Sequence, residues 1–584
     1  MKKWLLVWLV IFGLTGVGSA QQKDTVYVPS DLTGEGNLNV AVQQKIDEGK
    51  LSQTVFKLER LGYYILTGTI TVPQGQHLEI VAPPVGRVQE EAPPQIVWTS
   101  SGGVATNFMF DCFGDLTMKN VWLRYANTAG NQVGTTIQFE DDPVANESGK
   151  GEVGVFENVV FEYSSCPPNA GGAVTVTAKH FKGTFRNCYF RNCIDTHLRY
   201  YGRALSFPYA TTGWHNDYVF FENCTFANMG YVYMQEGGEY GDEVYFNHCT
   251  FMNVVMFTLE SGWWYKMFVT NSLFVNTYMF GYIPAQLGAG GVPFGGTIAI
   301  SKVQDFGFEV PFTEEDRRIL FANNAYYLES WLLDWMANNP YSKEKKRNRE
   351  PDLIPQPMPM LNDSTIAMFN RYPNMDAANL YNGLNPRILV PPSDIPAIKR
   401  FLYYKWTTNA DTNWAFQPDA GYYQQWPLPE NLAYQNDTLK TAAMGGFPLG
   451  DLYHWWPEEY ARWEAQKEHE YNRIFKWLET GSDPGAGVAE LVRETLPKTH
   501  TLSQNYPNPF NPTTRIEFSL PKAAHVTLKV YNLLGQEVAT LVNGYRQAGQ
   551  HWVTFDGSDL PGGVYVYRLE YDGKSVTRKL VLLK

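Results

Sequence analysis

The sequence predicts a mainly β chain: a coil of short stacked strands, then an aromatic-rich and partly helical segment, then a small antiparallel sandwich. Two observations carry this reading. Between Phe185 and Asn276 one phrase, aromatic–x–Asn–small–x–Phe–x–Asn, recurs as FRNCYFRN, FENCTFAN, FNHCTFMN and VTNSLFVN. From Leu502 onward, the runs RIEFSL, HVTLKVY, HWVTF, VYVYRLEY and KLVLL alternate apolar and polar residues between turn residues, the pattern of antiparallel strands.

The repeat extends beyond its clear copies. Degenerate forms place Asn120 in MKNVWL and Asn158 in FENVVF. The clear forms follow at Asn187, Asn223, His248 and Asn271, with a last at Asn323. The intervals are 38, 29, 36, 25, 23 and 52 residues. The shortest suit one turn of a three-strand coil, and the longer ones suit the same turn carrying loops; the longest has room for a concealed copy. Register supports a bend. Counting the Asn as zero, the apolar residues fall at minus two, then at plus one and plus three. A straight strand alternates faces and cannot bury all three. A tight corner at the Asn can, because Asn tolerates left-handed backbone. Stacked corners would bring the Asn amides into a hydrogen-bonded ladder.

Before the repeat, Asn37 opens a short helix with Val40, Val42 and Ile46 on its apolar face and Gly49 at its end. Short strands punctuated by Gly62, Gly68, Pro73 and Gly75 follow. After the repeat, ESWLLDWMANNP predicts a helix and KEKKRNRE a solvated loop. Residues up to Gly446 show no period. A helix then runs from Pro457 at its first turn to Gly481 past its end, with Tyr460, Trp463, Tyr471, Ile474, Phe475 and Leu478 at helical spacing; it is expected to dock on the coil. The expected domains are 1–20, 21–330, 331–481, a linker at 482–498, and 499–584.

Bulk properties narrow the function. A formal charge of −12 and a pI near 5.4 argue against a nucleic-acid partner, which needs a basic face. Lys2 and Lys3, the apolar run Trp4 to Val17 and Gly18-Ser19-Ala20 form a signal peptide with cleavage expected before Gln21. No other stretch is long and apolar enough to span a bilayer, so the mature chain is expected to carry no transmembrane segment. The six cysteines are Cys112, Cys166, Cys188, Cys193, Cys224 and Cys249. Cys188, Cys224 and Cys249 share one slot of the repeat, which predicts stacked buried thiols. No CxxC pair is present, so a structural zinc site is not expected.

Residues 50–330 resemble the right-handed parallel β-helix of pectate-lyase-like proteins. That fold carries lyases, hydrolases, adhesins and inert stalks, so the resemblance implies architecture and leaves activity open. The WxDH and RxP elements of pectate lyases are absent in usable form, as are the NTD, DD and GHG elements of polygalacturonases. The C-terminal region resembles the type IX secretion sorting domain. Its matching residues are Tyr506, Pro507, Asn508, Pro509 and Phe510, then Leu534 and Gly535, Gly563 to Tyr565, and Lys579 in the terminal RKLVLLK. Pro561-Gly562-Gly563 departs from the family's usual small residue and Ser before Gly. This resemblance implies the type IX secretion machinery as partner and an address at the outer-membrane surface or beyond.

Three constellations offer chemistry. Glu236, Glu239, Asp242 and Glu243, interleaved with glycines, are the expected ligands of a calcium ion, the one cofactor the sequence suggests. Asp195, His197 and Arg199 alternate, so a strand would present acid, base and cation on one side as a catalytic candidate. Glu260, Trp263, Trp264 and Tyr265 pair a carboxylate with flat rings, as a sugar-binding groove requires. For each, the competing assignment is scaffold: a solvated loop, a salt-bridged strand, or aromatics packed under a loop. His248 is expected to substitute for Asn in the ladder. The leading expectation is an exported, non-catalytic β-helix that binds carbohydrate, adheres or builds structure, with polysaccharide as its partner. The alternatives are a polysaccharide lyase or glycoside hydrolase, and a self-assembling filament or surface-layer component.

Overall fold

In the computed structural model the described residues are 23–84, 91–98, 108–124, 135–141, 150–163, 172–194, 202–210, 215–237, 240–256, 258–259, 263–283, 296–407, 414, 426–485, 500–520, 524–546, 549–558, 560–571 and 573–583. The repeat folds as a parallel β-helix with three stacks of strands. The first stack includes Asp115–Lys119, Val153–Glu157, Lys182–Arg186, Tyr218–Glu222, Tyr240–Asn247 and Trp264–Thr270 in parallel register. The second includes Trp122–Arg124, Val160–Glu162, Tyr189–Cys193, Thr225–Met229, Thr250–Val254 and Leu273–Thr277. The third runs from Ile70–Val72 through Phe108–Cys112, Thr135–Phe139, Val174–Val176 and Leu205–Ala210 to Tyr233–Gly237.

The first corner, between the first and second stacks, lies at the predicted Asn. Asn120, Asn158, Asn187, Asn223, His248, Asn271 and Asn323 all have φ between 50° and 59°. The left-handed turn reverses the alternation, so Phe residues on both sides of it point inward. Phe156, Phe185, Phe221 and Phe246 stack at 4.5–4.9 Å. Phe161, Phe190, Phe226, Phe251 and Phe274 form a second column at 4.4–5.1 Å. Each flat ring thus covers the ring of the next rung and excludes water from it. Cys188, Cys224 and Cys249 are buried free thiols beside these columns.

The phrase contains a second corner. Asn192, Asn228, Asn253 and Asn276 also have φ of 51–59°, where the second stack turns toward the third. The expected amide ladder is continuous here: Asn228 donates to Asn192, Asn253 to Asn228, and Asn276 to Asn253, at 3.0–3.1 Å. At the first corner the ladder is interrupted. Asn158 donates to Asn120 at 3.0 Å, but Asn187 donates to Tyr460 Oη at 3.1 Å and Asn223 Oδ1 accepts from Leu452 N at 3.1 Å.

Other expectations are adjusted. The 52-residue interval holds no concealed rung, because Lys266–Thr270 pairs directly with Arg318–Ala322. One more rung lies beyond residue 330: Met375–Asn382 pairs with Arg318–Tyr327 and turns at Asn379. The N-terminal helix, Asn37–Asp47, buries Leu38 and Val42, whereas Val40 is exposed, because positions 38 and 42 lie four apart on one face. KEKKRNRE is not a loop: Pro340–Arg347 is helical, with Asn339 accepting from Ser342 N at its N-terminus. The expected helix ending at Gly481 is two helices, Pro457–Glu464 and Lys467–Thr480, broken at Ala465 and Gln466. Gly481 (φ 67°) ends the second, where a Cβ would lie 1.7 Å from Pro373 O.

Residues 426–485 pack on the flank of the solenoid. Trp463, Tyr471, Ile474 and Leu478 meet outward-facing Phe220, Tyr245, Phe268 and Leu320 in one apolar cluster. Gly450 (φ 91°) brings its backbone against the first corner, donating to Asn271 O at 2.8 Å with a notional Cβ only 2.4 Å from Thr250 Oγ1. Residues 501–582 form two antiparallel sheets, one of three strands and one of four, around Phe510, Ile516, Val526, Tyr567 and Leu580. Among the described residues no helix is long and apolar enough to cross a membrane. The expected signal peptide lies outside the described residues.

Candidate functional site

Buried carboxylates on the covered flank are already engaged. Glu430, from the extension, accepts from Arg191 Nε at 2.6 Å and Tyr189 Oη at 2.7 Å; Arg191 also pairs with Glu162, and all three ionic side chains are buried. Glu470 accepts from Asn247 at 2.8 Å, Asn271 at 3.2 Å and Trp463 Nε1 at 3.0 Å, and lies 3.2 Å from His248 Nε2. Asp451 accepts from Thr225 at 2.7 Å and from His454 Nδ1 at 2.5 Å. Each carboxylate is held by several donors away from water, so it serves docking and is poorly placed to meet a substrate.

A different group lies at the third corner, where the third stack returns to the first. His180 (φ 56°) turns this corner. His215 begins the next rung and pairs in register with Tyr240, while Gly241 pairs with Trp264. The register therefore sets His215, Tyr240 and Trp263 in one column and brings Asp242 and Tyr265 alongside. His180 Nδ1 lies 2.8 Å from Asp217 Oδ1, and His215 Nε2 lies 3.7 Å from the same oxygen and 3.5 Å from Asp242 Oδ2. Lys182 Nζ holds the other Asp217 oxygen at 2.9 Å. The His215 ring stacks on Tyr240 at 4.9 Å and 19°. Burial, then the charges of Asp242 and Asp217, push the Tyr240 phenol well above its ordinary range, so it remains a neutral hydroxyl. His180, His215 and Asp217 each offer a ligand atom within 4.8 Å of the others, and among the described residues this is the group that could hold a cation.

Parts of two of the predicted sets reach this place. Asp242 does, but Glu243 is engaged elsewhere: its charge acts on Tyr218 and Tyr245. The side chain of Glu236 and all of Glu239 lie outside the described residues, as do Asp195, His197, Arg199 and Glu260. Trp263 and Tyr265 are half-buried against Phe306, Phe308 and Phe312. Trp264 is fully buried among the interior residues and is removed from the ligand-binding set, because its neighbours alternate outward while it points in. His248 occupies the corner slot as expected, but its ring reaches Glu470 and does not continue the ladder. Sequence reasoning missed His180, His215 and Asp217, which no spacing motif connects.

The third stack carries a further pair. Asp111 and Gln138 are partners across adjacent rungs, with Glu140 just beyond. Burial, then the nearby charge of Glu140, raise Asp111 to about 6. Asp111 Oδ1 and Asp141 Oδ1 are buried without hydrogen-bond partners among the described residues.

In the C-terminal domain, Phe510 is buried, its N–H donates to Val581 O at 2.9 Å, and Asn508 Oδ1 accepts from Val581 N at 2.9 Å. Tyr565 Oη donates to Pro561 O at 2.7 Å, within the Pro-Gly-Gly departure. Tyr506 and Leu534 are exposed, and Gly535 has φ 79°. Lys579 is exposed on Lys574–Leu582. Residues 504–583 match the family model described as the secretion system C-terminal sorting domain. No curated protein and no solved structure matches the chain.

Proposed function

From a parallel β-helix that ends in a type IX secretion sorting domain and is therefore destined for the cell surface or beyond, we propose a non-catalytic protein that holds extracellular polysaccharide at the third corner. The N-terminal signal peptide supplies passage across the inner membrane in this reading. The observation that carries the proposal is the pair of adjoining columns in which half-buried Trp263 and Tyr265 accompany Asp242 and Asp217. Flat rings bind the apolar faces of sugars, and carboxylates accept from their hydroxyls. Glu430, Glu470 and Asp451, the buried carboxylates of the covered flank, are spent on docking the extension, which supports holding over cleavage there.

The test is retention of the purified chain on a panel of immobilised polysaccharides, beside an assay for unsaturated or reducing ends. Trp263→Ala with Tyr265→Ala is expected to weaken retention at least tenfold with no sugar release from either protein. Undiminished retention would overturn the site assignment. A second reading, a polysaccharide lyase or glycoside hydrolase, is favoured by Asp111, whose raised pKa beside Glu140 suits proton transfer near neutrality. Sugar release abolished by Asp111→Asn would establish that reading instead.

A further inference from the structure

We propose that the third corner binds a divalent transition-metal ion, zinc by its donor set, through His180, His215 and Asp217, with Asp242 as the fourth ligand. Three features of the corner converge. The first is geometry: one donor atom from each of the three residues lies within 4.8 Å of the others. Zinc bonds of about 2.0–2.2 Å to nitrogen and oxygen require ligand atoms roughly 3.3 Å apart in a tetrahedron. Side-chain movement of up to about 1.5 Å brings these three donors to that spacing, and Asp242, whose Oδ2 is 3.5 Å from His215 Nε2 but which lies outside the 4.8 Å group, has to swing in as the fourth.

The second is chemistry. Two imidazoles with carboxylate oxygens suit zinc and its neighbours, whereas calcium takes six to eight oxygens. The missing CxxC pair excludes only a thiolate site and says nothing against this one. The ligands come from separate segments joined by sheet register, which gives the centre a rigid frame and lets one ion pin adjacent rungs.

The third is the surround. Lys182 holds Asp217 Oδ2 at 2.9 Å, leaving Oδ1 directed at the two histidines. Tyr240 stacks on the His215 ring at 4.9 Å and restrains its plane. Two carboxylates against one ammonium leave the patch negative. Side-chain exposures of 25%, 21% and 24% for His180, His215 and Asp217 leave a path for the ion.

The readout is the cation alone, so the test stands whether or not polysaccharide binds. The purified chain is titrated with zinc against a chromogenic chelator, and with cobalt for its visible absorption bands. One equivalent of zinc and the intense bands of tetrahedral nitrogen–oxygen ligation are expected. Asp217→Asn should weaken affinity at least tenfold and His180→Ala with His215→Ala should abolish it, while His525→Ala, in the sorting domain, should match the parent. Zinc-edge absorption of the parent protein covers the case in which a variant fails to fold: about two imidazoles and two oxygens support the site. A sulfur or six-oxygen shell, no bound zinc, a preference for calcium, or unchanged binding in a folded double variant would overturn it.

Discussion

The two asparagine corners begin from the same local chemistry and end in different roles. Both need a residue that accepts left-handed backbone, and both find it in Asn, except where His248 fills one slot of the first. At the second corner, four amides hand hydrogen bonds from rung to rung. Their spare N–H groups still reach outside the ladder, Asn228 to Pro392 O at 3.0 Å and Asn253 to Ser393 Oγ at 2.8 Å. At the first corner the amides are diverted to the extension: Asn187 to Tyr460, Asn323 to Ala442 O, and Asn271 to Glu470 and Met444 N. An amide has two donors and an acceptor, so one corner residue can build the coil or fasten a second layer to it. What decides between these uses is the segment that arrives from outside.

The largest expected effect comes from cutting the fastening at the first corner. Glu470→Ala removes the acceptor shared by Asn247, Asn271 and Trp463 and leaves their donors buried. Orphaned buried donors cost about 1–3 kcal/mol each, about 3–5 kcal/mol together. Denaturant unfolding should show a loss of that size, and limited proteolysis should open 426–485 first while the solenoid persists. Equal protection of both layers would mean that the extension does not depend on these contacts.

A smaller effect separates the corners themselves. Asn253→Gly keeps the left-handed backbone but deletes a fully buried amide that bonds to both neighbours in the ladder. A loss of about 2 kcal/mol is expected from hydrogen bonds and glycine's added backbone freedom. Asn120→Gly, half-buried at the start of its row, should cost about 1 kcal/mol or less by the same measures. Asn253→Ala should exceed Asn253→Gly by about 1 kcal/mol because alanine resists positive φ. Melting of the three variants side by side checks the order. An Asn120 variant as damaging as Asn253→Gly would remove the distinction between a continuous and an interrupted ladder.

The first corner was legible because the apolar phase slips at the Asn, and only a bend reconciles that slip with two inward Phe residues. The second was harder to see: its Asn shows no equally clear slip, although it occupies the other Asn slot of the same phrase. The rung at Met375–Asn382 escaped because its corner keeps Asn379 but is preceded by Ala377 in place of Phe. Docking of the extension joins residues more than 200 positions apart, such as Asn247 and Glu470, and no local pattern announces it. The third-corner cluster is opaque for the same reason. His180 and Asp217 become neighbours only when the rungs are laid in register, whereas Asp242, Trp263 and Tyr265 stood out by local composition and came to the same corner.

Carboxylates sharpen the contrast between covered and uncovered faces. Glu470 and Glu430 face several donors, whereas Asp111 Oδ1, on the third stack, has none among the described residues and stands near Glu140. Its folded pKa of about 6 lies above the ordinary 3.8, so the folded chain holds this proton more tightly than the unfolded chain. Below about pH 3 both states are protonated and Asp111 costs nothing. As pH rises from about 4 to 6 the unfolded chain releases the proton first, and stability falls; above 6 the whole penalty is present. Asp111→Asn mimics the protonated acid. It should therefore stabilise the chain by about 1 kcal/mol at pH 7.5, allowing for the partial solvent contact of the site, and by almost nothing at about pH 3. Unfolding curves of parent and variant at both pH values measure the difference. A gain that persists undiminished at about pH 3 would trace to packing, and no gain at pH 7.5 would show that Asp111 is already satisfied, as the carboxylates of the covered flank are.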